Sequence, residues 1–257
     1  AEYAMELKAA LEAKGVKFAV DSPTNQQFVI LHKDQLAALE KLKRRELPED
    51  HPDFAPIYNY LGSTYGCLGD HKTALHYHKL ALEIRTKEAL TDHPRLAQPC
   101  NDVGNSYCKL GDYSTALEYL NRAFHIRQKK LLPNHPDLAQ SNNDLAIAYY
   151  RIGNFQQALV HQKEALRIQK EILPPQHPNL ATSYNNIGLI YSKLGNHQQA
   201  LEYHLMDLSI CEKVLEEDHP DLAITYNNVG NAYDLLDNQS MALEYMNKAL
   251  EIQNDCC

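Results

Sequence analysis

The sequence predicts a mainly α fold: an α-solenoid of five helical hairpins preceded by a short α-β-β-α segment. Three observations carry this. His-Pro recurs at 51, 93, 135, 177 and 219, five copies spaced by 42 residues without an insertion. Within each copy the apolar positions return at three- and four-residue steps, as on amphipathic helices. Two places in every copy hold only tiny residues, which lets neighbouring helix backbones approach closely. A fixed period of this length marks stacked units, each of which covers its apolar surface fully only against the next. The expected organisation is a small N-terminal segment, 1–50, followed by repeats 51–92, 93–134, 135–176, 177–218 and 219–257.

The first fifty residues lack His-Pro and read differently. A helix runs to about Lys14 and stops at Gly15, followed by a strand "VKFAV", a turn "DSPTN", a strand "QQFVIL" and a helix from about Asp34. Two strands are too few to stand alone. The end of the last helix, "ALEKLKRRELPEDHP", echoes "ALEIRTKEALTDHP" with one extra residue. That helix is expected to stand in for half of a missing repeat and to cap the first true one.

Each repeat then follows one plan. The first helix opens at His-Pro, where proline's missing N–H costs nothing. Asp53, Asp137, Asn179 and Asp221 follow directly and favour the positive helix end. Counting the His as zero, position 10 is branched aliphatic and position 11 is Gly62, Gly104, Ala146, Gly188 or Gly230. Position 14 is always Tyr, from Tyr65 to Tyr233. The first helix ends near Leu-Gly, where glycine can take the left-handed turn; the fifth copy has Asp237 there instead. The second helix spans about 18 residues, with Ala at position 23, Leu at 24 and Ile at 33 in every copy.

These residues resemble the tetratricopeptide repeat, through the run of Tyr or Asn, Leu, Gly and Tyr followed by Ala-Leu. The 42-residue spacing, the "HPDLA" opening and the "ALEI" close resemble the long variant found in kinesin light chains. The resemblance covers 51–257 and implies a right-handed solenoid with the first helices on its concave side. Residues 1–45, chiefly "SPTNQQFVIL", resemble the C-terminal small-domain end of threonine-aldolase-like pyridoxal-phosphate enzymes, but carry no matching lysine motif.

Composition narrows the function. Net charge is −8, and the first fifty residues are nearly neutral, so the excess lies in the repeats. An acidic body lacks the clustered cations that displace counterions from nucleic acid. No 18-residue apolar run is long enough to span a membrane, and no charged-then-apolar leader opens the chain. Six scattered cysteines without ligand-pair spacing read as free thiols in a reducing cytoplasm. The terminal Cys256-Cys257 fits either a lipidation signal or a helix cut short.

On the first helix, positions 5, 8, 12 and 15–16 form a stripe apart from the packing face. Position 8 is Asn in every copy: Asn59, Asn101, Asn143, Asn185 and Asn227. Asn105 and Asn231 sit at position 12, and Lys109, Arg151 and Lys193 at position 16. An amide both donates and accepts, so such a row can hold the backbone of an extended peptide. It can equally tie neighbouring helices together. Ile147, Tyr150 and Leu189 interrupt the stripe and serve either as ligand anchors or as packing residues. The cations would favour an acidic ligand. In the subtype that grips chaperone C-termini, basic residues sit higher on the first helix. Here those places hold Pro56, Gln98, Gln140, Thr182 and Ile224, so that clamp is not expected.

Catalytic or cofactor-binding signals are lacking. His71, His76 and His78 miss the i,i+4 spacing of a two-His metal face. His161 and His204 fall near equivalent places and read as surface histidines. Asp207 stands where the other copies carry Ala81, Ala123, Ala165 and Ala249. A carboxylate there is costly unless paired or wet, and marks a distortion, an adapted contact or plain drift. The expectation is a non-enzymatic scaffold, without cofactor, that binds a protein or peptide with acidic and hydrophobic residues. A kinesin-light-chain-like cargo adaptor and the interaction arm of an enzyme are the alternatives. Leu243, Met246 and Leu250 on the last helix, left without a cap, predict self-association or a further repeat in the natural chain.

Overall fold

The computed structural model describes residues 51–88 and 93–255. The expected α-β-β-α segment, its capping helix, its enzyme resemblance and the Cys256-Cys257 pair lie outside the described residues. Among the described residues are ten α-helices, one short 3-10 helix and no strand. In chain order they follow the predicted pairs. The described residues divide into two compact units, one ending at Leu110 and the other beginning at Gly111. The division falls between the two helices of the second copy.

The first unit holds α1 (Phe54–Cys67), α2 (His71–Glu88), the 3-10 helix Pro94–Leu96 and α3 (Ala97–Leu110). Helices α1 and α2 form a hairpin, and α3 packs on α2. Phe54, Tyr58, Leu61, Tyr65, Tyr77 and Ile84 form its buried core.

The second unit holds α4 (Tyr113–Lys130), α5 (Pro136–Arg151), α6 (Phe155–Ile172), α7 (Pro178–Lys193), α8 (His197–Val214), α9 (Pro220–Asp234) and α10 (Gln239–Asp255). From α5 onward each helix packs on the one before it. Three hairpins, α5/α6, α7/α8 and α9/α10, therefore stack in sequence, as expected of a nearest-neighbour array.

The ends of the helices show why the punctuation recurs. In the four later copies the His of His-Pro, His93, His135, His177 or His219, is an N-cap whose ring nitrogen, not an oxygen, takes the first free amide. Nδ1 of His135, His177 and His219 accepts from the backbone N–H two residues on, at 3.1 Å in each case. The second helices carry ordinary caps: Asp112, Asn154 and Asn196 accept from Thr115, Gln157 and Gln199. Between the paired helices, Gly69, Gly111, Gly153 and Gly195 all have φ between 75° and 84°, and Asp237 takes φ 58° in the fifth copy. The left-handed turn is thus kept even where a side chain must tolerate it.

Inside each hairpin two contacts repeat. The position-14 Tyr stacks on an aromatic ring of the partner helix: Tyr65 on Tyr77, Tyr149 on His161, Tyr191 on Tyr203 and Tyr233 on Tyr245, at 5.4–5.7 Å between centroids. The position-11 glycine faces position 27 of the same partner. A Cβ on Gly62 would come within 2.2 Å of His78, and one on Gly188 within 2.6 Å of His204. Gly230 lies against Met246 in the same way. The tiny residue therefore makes room for a large buried side chain as well as for the backbone.

Candidate functional site

The stripe predicted on the first helices divides into residues that tie the fold and residues that remain open. In the first unit Asn59 is half-buried, and its enclosed Oδ1 meets no hydrogen-bond donor among the described residues. Asn101 is buried and engaged, Asn105 is half-buried and engaged, and Lys109 is exposed. A cavity of about 440 Å3 opens beside Asn59, between α1, α2 and the start of α3, with Arg85 and Arg95 in its wall.

In the second unit the amides are partly committed. Nε2 of the buried Gln162 lies 3.3 Å from Oδ1 of Asn143 and 3.3 Å from Oγ of Ser183, linking α6 to both of its neighbours. Nδ2 of Asn228 donates to Oδ1 of Asn185 at 2.9 Å, joining α9 to α7. Asn227 and Leu189 are half-buried, and Asn231 is exposed. Tyr150 packs edge-on against Phe155 at 5.4 Å. Ile147 keeps 41% of its surface exposed, and Ile224, two hairpins on, keeps 55%. Arg151 and Lys193 are exposed at the C-terminal ends of α5 and α7, where a cation also favours the helix dipole.

A second seam, which the pattern of single positions did not reveal, joins successive hairpins. Position 34 of one copy meets position 6 of the next. Arg127 Nη1 donates to Ser141 Oγ at 2.6 Å, and Ser183 Oγ donates to Gln169 Oε1 at 2.6 Å. In the last pair the residues are Cys211 and Thr225, whose Sγ and Oγ1 lie 3.8 Å apart. A cavity of about 240 Å3 lies between α7, α8 and α9, with Asp207, Asn185 and Asn228 in its wall beside Cys211 and Thr225.

Asp207 is 4% exposed. Cys211 Sγ–H donates to its Oδ1 at 3.4 Å. Burial pushes its carboxyl up to about 6, against the smaller opposing pull of hydrogen bonds from Cys211 and Thr225. Burial and the neighbouring carboxylate push the Cys211 thiol up to about 11, so it is an inert thiol rather than a nucleophile. His204, one turn back on α8, is driven by burial down to about 4 and is neutral at physiological pH. It is a core residue, not the surface residue that its type suggested, and so is the buried His78. Asp207 was conspicuous in sequence as the one non-alanine at its register. Thr225, Cys211 and Asn228 were not, because what matters is which side chain of the next hairpin each one meets.

Among the described residues no helix is long and apolar enough to cross a membrane, and no three His, Cys, Asp or Glu residues are grouped to hold a metal ion. On the last helix Leu243 and Leu250 are exposed at 62% and 52%, while Met246 is half-buried against Gly230.

Comparison with known proteins agrees with this architecture. A family model described as tetratricopeptide repeat matches residues 53–129, 96–171, 137–206 and 179–255. A search of the curated proteins finds no match. Among solved structures, a putative kinesin light chain from Podosopora anserina with nearly identical TPR-like repeats superposes with a TM-score of 0.70 at 24% identity, covering 80% of this chain and 98% of that one. BtubC (BKLC) from P. vanneervenii gives 0.71 at 21%, covering 86% and 87%. A Rap protein complexed with Competence and Sporulation Factor gives 0.62 at 19%; 86% of this chain matches 59% of that one. At these identities the likeness is one of fold.

Proposed function

The chain belongs to the tetratricopeptide-repeat family, a scaffold typical of protein–protein interaction, and from that premise we propose that it is a non-enzymatic module holding an extended segment of a partner along its first helices. One observation carries this. On α5 and α9, Ile147 and Ile224 are exposed on helices whose other faces are used up in packing. On α5 the amide of Asn143 and the cation of Arg151 flank Ile147, and on α9 the amides of Asn227 and Asn231 follow Ile224. Exposed aliphatic anchors among polar groups that can meet a peptide backbone are what a recognition face needs. The Asn185–Asn228 pair supports the same use. The bond between them uses one N–H of Asn228 and the oxygen of Asn185, so the Asn185 NH2 can still donate and the Asn228 oxygen still accept, enough for one peptide unit. The solved Rap neighbour, which carries Competence and Sporulation Factor on the same fold, is consistent with a ligand-holding role.

The exposed Arg151 and Lys193 favour acidic residues in the bound segment. The test is capture of an immobilised library of N-acetylated, C-amidated decapeptides. Wild type should retain a set enriched in acidic and aliphatic residues. Arg151→Glu with Lys193→Glu should lose the acidic preference, and Ile147→Ser with Ile224→Ser the aliphatic one. Retention no greater than that on scrambled peptides of equal charge would refute the role.

A further inference from the structure

The cavity between α7, α8 and α9 is built around a buried charge that the fold itself does not require. Alanine occupies the Asp207 register in the other four copies, and Ala81, Ala123, Ala165 and Ala249 are all buried there. Among the described residues no lysine or arginine lines the cavity. The hydrogen bonds that Asp207 receives come from a thiol and a hydroxyl, neither of which supplies a positive charge. A desolvated carboxylate without a counter-charge destabilises the protein that carries it. The walls around it are the other half of the feature: Ala181, Val214, Leu215 and Ile224 are apolar. Asp221, exposed at the start of α9, adds a second carboxylate.

An aliphatic channel with carboxylates in its lining matches one kind of side chain, a flexible methylene stem ending in a cation. We infer that this cavity receives a lysine or arginine side chain from the bound segment, its stem against Val214 and Ile224 and its head on Asp207. This rests on the peptide-holding reading and adds a charge preference opposite to that of Lys193. Asn185 lines the cavity and Lys193 lies eight residues further along α7, so the two preferences are separated by about 12 Å along the helix. A segment with a basic and an acidic residue at that separation would satisfy both. A bound cation also supplies the counter-charge that keeps the Asp207 carboxylate ionised at neutral pH.

The test uses two arms on the full chain. In the first, protein labelled with 13Cγ-aspartate is titrated with n-butylammonium, n-propylguanidinium and, as an uncharged control, n-butanol, at constant ionic strength. The Asp207 signal is assigned by its loss in Asp207→Ala, a variant that restores the residue of the other copies and whose folding is checked by circular dichroism. A saturable shift with either cation, absent with butanol, is expected. Val214 and Ile224 methyl signals should move with it, and in Asp207→Asn the affinity should fall by about tenfold or more, the scale of one charge-assisted contact. No saturable response to either cation, or an equal response to butanol, would overturn the assignment. In the second arm the decapeptide library is passed over wild type and Asp207→Ala. Enrichment of lysine or arginine that disappears in the variant supports the cavity's role. Peptides bound without that enrichment, or with it unchanged in the variant, would overturn the cavity alone. Cation binding without any peptide retention would keep the cavity and remove the peptide-holding role.

Discussion

The imidazole of His204 lies across the backbone of Gly188, so close that a Cβ on the glycine would meet Cε1 at 2.6 Å and Nδ1 at 2.7 Å. The pairing recurs as Gly62 with His78 and Gly230 with Met246. In the third copy the same two registers hold Ala146 and Gln162, both buried. Size at one register is thus matched to shape at the other. Gly188→Ala alone should lower stability by about 1–3 kcal/mol through overpacking. Adding His204→Gln recreates the pair of the third copy and should recover most of that loss. Chemical denaturation of the two single variants and the double variant checks this; strictly additive losses would contradict it.

The His-Pro motif is explained by capping. His177→Ala should cost about 1 kcal/mol, and His177→Asn, which keeps an acceptor, only a fraction of that. Thermal melting distinguishes the two. Equal losses would mean that the ring matters for something other than its Nδ1.

His204 and Asp207 pull acid stability in opposite directions. His204 falls to about 4 in the fold, so as pH drops below 6.5 the unfolded chain takes a proton that the native chain refuses, and stability is lost. Asp207 rises to about 6, so between pH 6 and its ordinary 3.8 the native chain takes a proton first, and stability is gained. In wild type the two should largely cancel from pH 6 to 4. Asp207→Ala should be more stable than wild type at pH 8, by up to about 3 kcal/mol, and lose that advantage by pH 4. A stability difference that stays constant with pH would show that the carboxylate is not desolvated.

The amide pair across α7 and α9 has its own energetic signature. Asn185→Ala and Asn228→Ala should each cost about 0.5–1.5 kcal/mol, and the double variant little more than one of them. Independent, additive costs would show that the two amides do not hold each other.

Much of this molecule was legible residue by residue. The five-fold His-Pro spacing, the left-handed turns at Gly153 and Gly195 and the close approach at Gly188 all follow from patterns inside one repeat. The Asn stripe was legible only as an ambiguity. Asn143 and Asn185 lie on it as expected, but each already accepts from a second amide, and Gln162 and Asn228 give no local signal of that partnership. The buried state of His204 was missed for the same reason: its surroundings come from another helix.

The amino-acid order alone determined where helices begin, turn and pair, because those choices rest on capping groups, backbone angles and apolar period within about forty residues. Tertiary structure decided what lies between one hairpin and the next. Gln169 meets Ser183 across one junction, and Cys211 meets Thr225 across the next, where a cavity lies beside Asp207. Those meetings depend on the offset at which two hairpins stack, which brings together side chains from different repeats.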